Sequence, residues 1–517
     1  MLAAMLLLGR ISSAQTAGSL DTEFSMDGKH TVDYGYVDLY KDVNFKSNGK
    51  IAAAGTSYGE FWDSSIKVTQ YNNDGTIDVN FGTEGTFSYT LNYETGVYAM
   101  ALTPHDKILV AVITTGFAGG FAMLMFQLNE DGTLDSEFGT DGVRYHDLGT
   151  NDDIAYDMAI QDDCNILLAG TNTDQNYNNV PVVVRFNEDG SLDSEFGTNG
   201  VASITVTAIE NEFNSVCVQS DGKILAAGHI AVTIGTYSLL VARFNDDGTT
   251  DNSYGDDGVL VMNINNQGEE FLDMVCTEDD DLILSGIMQS MDQFQFKAFA
   301  MKLDVHGNPV STFGNNGFVQ LGDTEEDTAY AMALQNDGKI ILGGNTGQSI
   351  PFNSNFGIWR LNADGTPDDT FGENGKISTD FNELPDQIEA FSIQNDGKLI
   401  AVGKARSENG QFDMAIARYF TTDVVGITES FTSGDVSVYP NPAISGTDIQ
   451  IRAENNKIEK IQLIDMKGNS VYNVELSPDK ATQTFRVETQ NLASGIYSLV
   501  LRFEGNSGYS KKIVVSD

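Results

Sequence analysis

Residues 187–200 read N-E-D-G-S-L-D-S-E-F-G-T-N-G, and this loop returns along the chain at a nearly constant interval. Its aromatic falls at Phe24, Phe81, Phe138, Phe196, Tyr254, Phe313 and Phe371, in steps of 57, 57, 58, 58, 59 and 58 residues. Two further landmarks keep the same period. The aliphatic residue of a D-G-K-I-like turn stands at Ile51, Ile108, Ile166, Ile224, Leu282, Ile340 and Leu399. An R-F-N-like segment places Tyr71, Leu128, Phe186, Phe244, Leu303, Leu361 and Tyr419. Three independent landmarks on one period mean a single supersecondary unit repeated, whose copies stack to bury a face that none can bury alone.

In the fourth unit the loop ends at Gly200, and V-A-S-I-T-V-T, N-S-V-C-V-Q, K-I-L-A-A-G-H-I and S-L-L-V-A-R-F follow. These runs are rich in β-branched and aliphatic residues and are separated by Gly, Asp and Asn, the pattern of short strands. S-D-G-K between the second and third is a hairpin turn. No unit carries a 3.6-residue period. Four strands in each of seven units predict an all-β fold, a seven-bladed β-propeller over residues 15–420. An open solenoid would need atypical polar repeats at its ends. Here the first copy keeps Gly18, Asp21, Phe24 and Gly28 and the last keeps Arg418 and Tyr419, which favours a ring.

The invariant positions have physical reasons. Asp stands three before the aromatic in six copies (Asp21, Asp78, Asp135, Asp193, Asp251, Asp368), with Val310 the exception. Its carboxylate is expected to cap the free N–H groups of a short helical turn. Glycines six before and four after the aromatic, such as Gly190 and Gly200, occur in all seven copies. They imply positive φ or a close backbone approach. The aromatic between them is expected to plug the seam between neighbouring units, burying ~150–250 Å². Basic residues recur at the end of the last strand of the unit (Arg185, Arg243, Lys302, Arg360, Arg418) and read as partners of the acidic loops.

Composition bounds the function. The 517 residues are 41% hydrophobic, enough for packed cores, and 74 Asp+Glu against 29 Lys+Arg leave a net charge of -45. Such a chain repels phosphate backbones and anionic bilayers, so no nucleic-acid partner is expected. Residues 108–126 form a 19-residue uncharged run, but their register in the repeat splits them into two strands, so no transmembrane segment is expected. Residues 1–14 resemble a clipped secretory signal, with Ser12 and Ala14 ahead of a cleavage before Gln15. The three cysteines, Cys164, Cys217 and Cys276, show neither a disulfide framework nor zinc spacing and are expected as buried small hydrophobes.

Catalytic signatures are missing. The five histidines occupy different slots of the repeat, and no H-x-x-x-H, G-x-S-x-G or Walker loop occurs. The expectation is no catalytic residue, no cofactor and no resident metal. Structural Ca²⁺ in the N-E-D-G-S-L-D loop is the alternative its clustered oxygens suggest. Recognition is expected in the variable segments, whose aromatics Trp62, Tyr177, Phe294 and Phe352 are the candidate ligand contacts.

Beyond Phe420 the repeat stops. Residues 421–435 read as a linker, and residues 436–517 alternate as a small Ig-like β-sandwich. From Gly434 onward 9 Lys+Arg face 10 Asp+Glu, so nearly all the negative charge belongs to the repeats. The tail contains Val438-Tyr439-Pro440-Asn441-Pro442, then Leu463-Ile464-Asp465-Met466-Lys467-Gly468-Asn469-Ser470-Val471, then Leu492-Ala493-Ser494-Gly495-Ile496-Tyr497 and Lys512-Ile513-Val514-Val515. This order resembles the type A C-terminal sorting domain of type IX secretion, with Ile464 where Tyr is usual and Asn469 where Arg is common. The motif positions are Pro440, Asn441, Pro442, Asp465, Gly468, Gly495, Tyr497 and Lys512. The resemblance implies handling by the type IX machinery and a secreted or outer-surface location. The repeats are similar to the delta-60 repeat family of bacterial surface proteins, which implies architecture but no activity.

The reading is therefore a secreted or cell-surface binding protein for an extracellular glycan or protein. The alternative is a propeller-type glycan hydrolase or lyase using acidic residues. Deleting residues 436–517 is expected to leave the protein in the periplasm, measured by fractionation; normal export of the truncated chain would refute the tail assignment.

Overall fold

In a computed structural model, described for residues 16–60, 63–91, 95–115, 120–148, 151–206, 208, 210–233, 236–264, 268–289, 296–322, 327–348, 353–422, 436–441, 443–444, 446–454, 458–465, 470–476, 482–490, 492–503 and 508–516, every regular element is a β-strand. The signal-like residues 1–14 lie outside the described residues. The chain divides into two units. One is Leu20–Ile393 with Leu399–Arg418, and the other is Met1–Ser19, Gln394–Lys398 and Tyr419–Asp517.

The first unit contains five four-stranded sheets and one of eight strands. In the larger sheet Val37–Phe45 of the first repeat meets the last repeat through one parallel pair, Val37 with Phe412. Sheet and repeat are out of phase by one strand. Val259–Met262 follows the loop of the next repeat, yet it pairs with Thr236–Phe244 of the sheet before it. That offset leaves Lys29–Val32 at the N-terminus without a sheet of its own. It pairs with Phe412–Tyr419 near the other end, Lys29 opposite Ala417 and Val32 opposite Met414. The chain is β-propeller-like, and its earliest strand completes the latest set.

Seams between sheets carry the core. Phe196 is fully buried among Leu167, Ala169 and Val183 of one sheet and Phe213, Ile224 and Leu240 of the next. Phe81, Phe138, Tyr254 and Phe313 sit equivalently. Phe24 packs with Ile400, Val402, Met414 and Ile416 of the last set and with Tyr40, Val43 and Ile51 of the first. The loop glycines make room for this plug. A Cβ on Gly132, at φ 82°, would lie 2.7 Å from the amide nitrogen of Gly82 and 3.0 Å from the Phe81 ring. The D-G turn of one unit is thus seated on the aromatic of the unit before, and Gly82 N–H donates to Asp131 O at 2.8 Å.

Above four of the plugs lies an arginine. The Arg185, Arg243, Arg360 and Arg418 guanidiniums stand 4.4, 4.7, 4.5 and 4.8 Å from the centroids of Phe196, Tyr254, Phe371 and Phe24. Their partners are the loop aspartates: Arg185 Nε donates to Asp193 at 2.8 Å, Arg243 Nε to Asp251 at 2.8 Å and Arg418 Nε to Asp21 at 2.8 Å. Where the sequence has Gln70 instead, its amide and Lys50 Nζ together serve Asp78, at 2.7 and 2.6 Å. The other carboxylate oxygen caps the turn as expected, accepting from Glu195 N–H at Asp193 and from Ser253 N–H at Asp251, both 3.0 Å.

The cysteine expectation is corrected. Cys217 and Cys276 form a disulfide, with Cα atoms 6.0 Å apart and a sequence separation of 59. They lie on the first strands of consecutive sheets, Glu210–Val218 and Glu269–Cys276. The seam sets such strands side by side, so residues one period apart become neighbours. Cys164 is free and occupies the D-G-K turn at φ 69°, where other units have Gly222 or Gly338.

In the other unit Val436–Tyr439, Ile449–Glu454 and Thr482–Val487 form a three-stranded sheet. Ala443–Ile444, Gly508–Ser516, Gly495–Phe503, Ile458–Asp465 and Ser470–Glu475 form a five-stranded one, in that order. Val438, Ile451 and Val487 from the first share a core with Leu463, Leu499 and Ile513 from the second.

Phe196→Ala removes a seam plug and is expected to cost about 3–5 kcal/mol in urea unfolding. The exposed Tyr177→Ala is expected to stay within about 0.5 kcal/mol.

Candidate functional site

The first strands of the seven strand sets are Val37–Phe45, Thr95–Leu102, Asp153–Ile160, Glu210–Val218, Glu269–Cys276, Thr328–Leu334 and Asp386–Ile393. Each carries one register shift, at Lys41, Tyr98, Tyr156, Asn214, Leu272, Tyr330 and Glu389 respectively. A bulge leaves one residue unpaired and re-aims its side chain. All seven line one cavity of about 270 Å³.

The bulge has a local cause. Opposite it, in the second strand, stand Gly55, Gly170, Gly228, Gly286, Gly344 and Gly403. A Cβ at Gly55 would lie 2.0 Å from Leu39 O, and one at Gly170 1.8 Å from Ile154 O. A residue without a side chain eases so close an approach, although Val112 stands opposite the bulge at Tyr98.

The cavity wall is polar and not repetitive. Lys41 Nζ donates to Glu389 Oε2 at 2.7 Å, Gln387 Nε2 donates to Glu389 Oε1 at 2.8 Å, and Lys404 Nζ lies 3.6 Å from the same carboxylate. The rings of Tyr98 and Tyr156 meet edge to face at 5.8 Å. On the side of the fourth strand set, Asn214 Nδ2 donates to Glu212 Oε1 at 3.0 Å. His229 Nε2 lies 3.7 Å from that oxygen, and Tyr237 donates to Glu210 Oε2 at 3.0 Å. Burial first, and then the Glu212 charge, hold the Tyr156 phenol well above its ordinary range.

One residue further on, Asp42, Asp157 and Asp273 stitch neighbouring first strands together. Asp42 Oδ2 accepts from Met100 N–H at 2.7 Å, Asp157 Oδ2 from Val216 N–H at 2.8 Å and Asp273 Oδ2 from Met332 N–H at 2.6 Å. Ser215 Oγ donates to Asp157 at 2.8 Å. Removal from bulk water raises all three carboxyls, to about 7 for Asp42 and about 8 for Asp273, and repulsion from Asp157 pushes the last two the same way. Burial thus pushes these three carboxyls toward the protonated form at a pH where ordinary carboxylates are charged.

The sequence candidates fall elsewhere. Tyr177 is 79% exposed at a turn whose Asp174 accepts from Asn176 N–H at 2.7 Å. Trp62, Phe294 and Phe352 lie outside the described residues. In the N-E-D-G-S-L-D loop, Asp189 Oδ1 accepts from Ser191 N–H and Oγ–H at 2.8 and 2.6 Å, and Asp193 is taken by Glu195 and Arg185. The loop carboxylates considered for Ca²⁺ are thus engaged by the chain's own donors. The cavity residues were missed, although a signal exists. Each bulged residue stands ten before the D-G-K-I aliphatic, and that column reads Lys, Tyr, Tyr, Asn, Leu, Tyr, Glu.

Of the tail motif, Asn441 Oδ1 accepts from Val514 N–H at 2.9 Å, which ties the V-Y-P-N-P segment to the closing strand. The Tyr439-Pro440 bond is cis. Gly495 opens a strand, and the buried Tyr497 donates to Ala493 O at 2.6 Å. Asp465 ends a strand and Lys512 pairs with Ser498, while Pro442 and Gly468 lie outside the described residues.

The family model of the secretion system C-terminal sorting domain matches residues 437–516. The tail is a sorting signal. The protein is therefore exported by type IX secretion, to the cell surface or the medium. A second family, a β-propeller domain of unknown function (DUF5122), matches residues 46–81, 104–138, 161–196, 219–254, 335–371 and 394–423. No curated protein matches the sequence. Among solved structures the chain is similar to the surface component PorZ of the type IX system of Porphyromonas gingivalis, at 9% identity and TM-score 0.23, covering 95% of this chain and 100% of that one. It is also similar to a PL25 ulvan lyase, at 10% identity and TM-score 0.43 over 76% and 96% of the two chains. Drosophila Semaphorin 2a is similar at 10% identity and TM-score 0.42 over 98% and 100%. No helix among the described residues is long and apolar enough to cross a membrane.

The raised carboxyls give a pH dependence of defined sign. An unfolded Asp titrates near 4, so between about pH 4 and 8 the folded state binds more protons, and stability falls as pH rises through that window. Asp273→Asn imitates the protonated form and is expected to flatten the fall in Tm between pH 5 and 8, read by calorimetry. An unchanged slope would refute protonation of Asp273.

Proposed function

We propose that this exported protein is a non-catalytic binding protein whose repeats close into a seven-bladed β-propeller, with its ligand site at the central cavity. Residues 15–420 would form the propeller and 421–435 the linker. Residues 436–517 would be the Ig-like sorting sandwich engaged by the type IX machinery, and residues 1–14 the remnant of a secretory signal. Support for the ring comes from the Lys29–Val32 pairing with Phe412–Tyr419 and from Phe24 packing between the last and first strand sets. A radial array whose last set borrows its outer strand from the N-terminus has no long free edge.

The observation that carries the ligand reading is the cavity wall. Seven equivalent positions hold an ammonium, a carboxylate, an amide, three phenols and one leucine. Unequal residues at equivalent places are what recognition of an asymmetric ligand requires. Phenol rings offer apolar faces, while Lys41, Glu389 and Asn214 offer donors and acceptors, a mixture suited to a sugar with an apolar face and several hydroxyls. The ligand class is therefore an extracellular glycan, bound through a terminal or protruding sugar.

A second reading, the glycan hydrolase or lyase, draws on His229 beside Glu212 and Tyr156, since an imidazole, a carboxylate and a phenol together can move protons. A glycan array followed by product analysis separates the two. The binding reading expects an unmodified glycan held by the wild type and at least tenfold weaker affinity in Lys41→Met and Tyr156→Ala. Shortened or unsaturated products that vanish in Glu212→Gln would replace it with the enzyme. Binding unaltered by Lys41→Met and Tyr156→Ala would move the site away from the cavity.

A further inference from the structure

Two of the tail's motif segments meet in one cleft. Val471 closes the segment 463–471, and Leu492, Ala493 and Tyr497 belong to the segment 492–497. Together with Tyr472, Arg486 and Glu488 they line a cleft of about 490 Å³. One flank is Ser470–Glu475, the last strand of the five-stranded sheet, and the other is Thr482–Val487, the last strand of the three-stranded one. Among the described residues each of these strands has a ladder on one side only, to Ile458–Asp465 and to Ile449–Glu454 respectively. The cleft therefore opens where both sheets of the tail end.

Its end wall is set by the chain's own hydrogen bonds. Thr489 Oγ1 donates to Thr447 O at 2.7 Å and accepts from Gly446 N–H at 3.0 Å, and Leu492 N–H donates to Thr489 O at 2.9 Å. The Tyr497 hydroxyl, bonded to Ala493 O, completes the wall. Burial accounts for these residues: Tyr497 is 6% exposed and Leu492 packs on the tail core. It does not account for Val471. That side chain is 41% exposed, and a register shift leaves it opposite no residue, since Leu463 faces Tyr472 and Ile464 faces Ser470. Beyond this bulge, Tyr472, Asn473, Val474 and Glu475 keep a regular register. Edge strands are commonly guarded by lysine or proline, and Ser470–Glu475 contains neither. An apolar motif residue left in water beside an unguarded edge is fitted to a partner, not to the fold.

We propose that the type IX machinery engages the tail at this edge, through an extended segment that pairs with Ser470–Glu475 and sets one apolar side chain in the cleft against Val471, Tyr472 and Leu492. Such docking rests on the tail being the sorting signal. Backbone pairing demands little of the partner's sequence, while the pocket selects the side chain that fills it, the division of labour of strand-addition interfaces. At the rim, the Arg486 side chain is 70% exposed and lies 3.9 Å from Asp448, and Glu488 accepts from Gln490 Nε2 at 3.0 Å. One charge of each sign there suits a segment that is polar on both sides of its apolar anchor. The occupant is the machinery and not a second copy, because the segments 463–471 and 492–497, by which the tail resembles sorting domains, supply the lining.

The experiment is expression of the full chain in a bacterium with a working type IX system, with fractionation of cells and medium and thermal unfolding of each purified variant. Val471→Lys alters an exposed residue, so unfolding is expected to match the wild type while the exported share falls at least tenfold. Val471→Ile keeps the anchor apolar and should export normally. Ser437→Lys, exposed on Val436–Tyr439 at the opposite edge of the three-stranded sheet, should do the same. The N–H groups of successive residues in an antiparallel edge strand point to opposite sides, so either Asn473→Pro or Val474→Pro removes an outward donor. Whichever of the two unfolds like the wild type is expected to lose export. Normal export of Val471→Lys, or of that proline variant, overturns the proposal. A dimeric wild type, with Val471→Lys monomeric yet exported, gives the edge to a second copy and overturns it too. Normal export of the chain lacking residues 436–517 is a separate outcome, which removes the sorting reading itself.

Discussion

The seam between consecutive sheets is the interaction on which the rest depends. A four-stranded sheet of this size has two apolar faces and cannot cover either by itself. The chain solves this with recurring parts: an aromatic driven into the gap, a D-G turn from the next unit seated on it, and in four units an arginine laid over the ring. The aspartate three residues before the aromatic then serves twice, capping the turn with one oxygen and neutralising the arginine with the other. Arg185 sits over Phe196 while bonded to Asp193, so apolar burial, cation–π attraction and an ion pair share one small volume. Exposed ion pairs of this kind contribute little; here the pair is largely enclosed, and removing one member would strand the other.

The same seam determines what the centre can do. Because first strands of consecutive sheets lie side by side, side chains from Lys41 to Glu389 are brought together. Asp42, Asp157 and Asp273 use this proximity structurally, each reaching over to an amide of the next strand. The bulged residues use it chemically. Each departs from the ladder, faces the cavity and varies from unit to unit, so one scaffold position becomes seven independent choices. The disulfide obeys the same geometry: Cys217 and Cys276 sit on adjacent first strands, and their covalent link accords with export into an oxidising space.

Much of this was legible in the residues. The period of the plug aromatics, the capping aspartates and the pairing of the arginines with acidic loops follow from spacing alone, since each involves groups within one unit or in the next. The sorting tail was legible because its motif residues hold backbone joints, as Asn441 does for Val514. The central cavity was not read, and neither was the disulfide. The I-x-x-x-G glycines that permit the bulges were visible, as in I-L-A-A-G ending at Gly228, but a glycine in a strand signals close approach without saying which residue is displaced. Cys217 and Cys276 looked like an unpaired remainder because they stand 59 positions apart in the chain.

The sequence by itself determined the unit, its strands, its turn chemistry and the export signal, because all of these rest on local backbone preference and on contacts inside one period. Only the tertiary structure decided the one-strand offset between repeat and sheet, the pairing of Lys29–Val32 with Phe412–Tyr419, and the groups that meet at the centre. Those depend on strands being carried round to one another, and distance along the chain does not report distance in space once identical units are stacked.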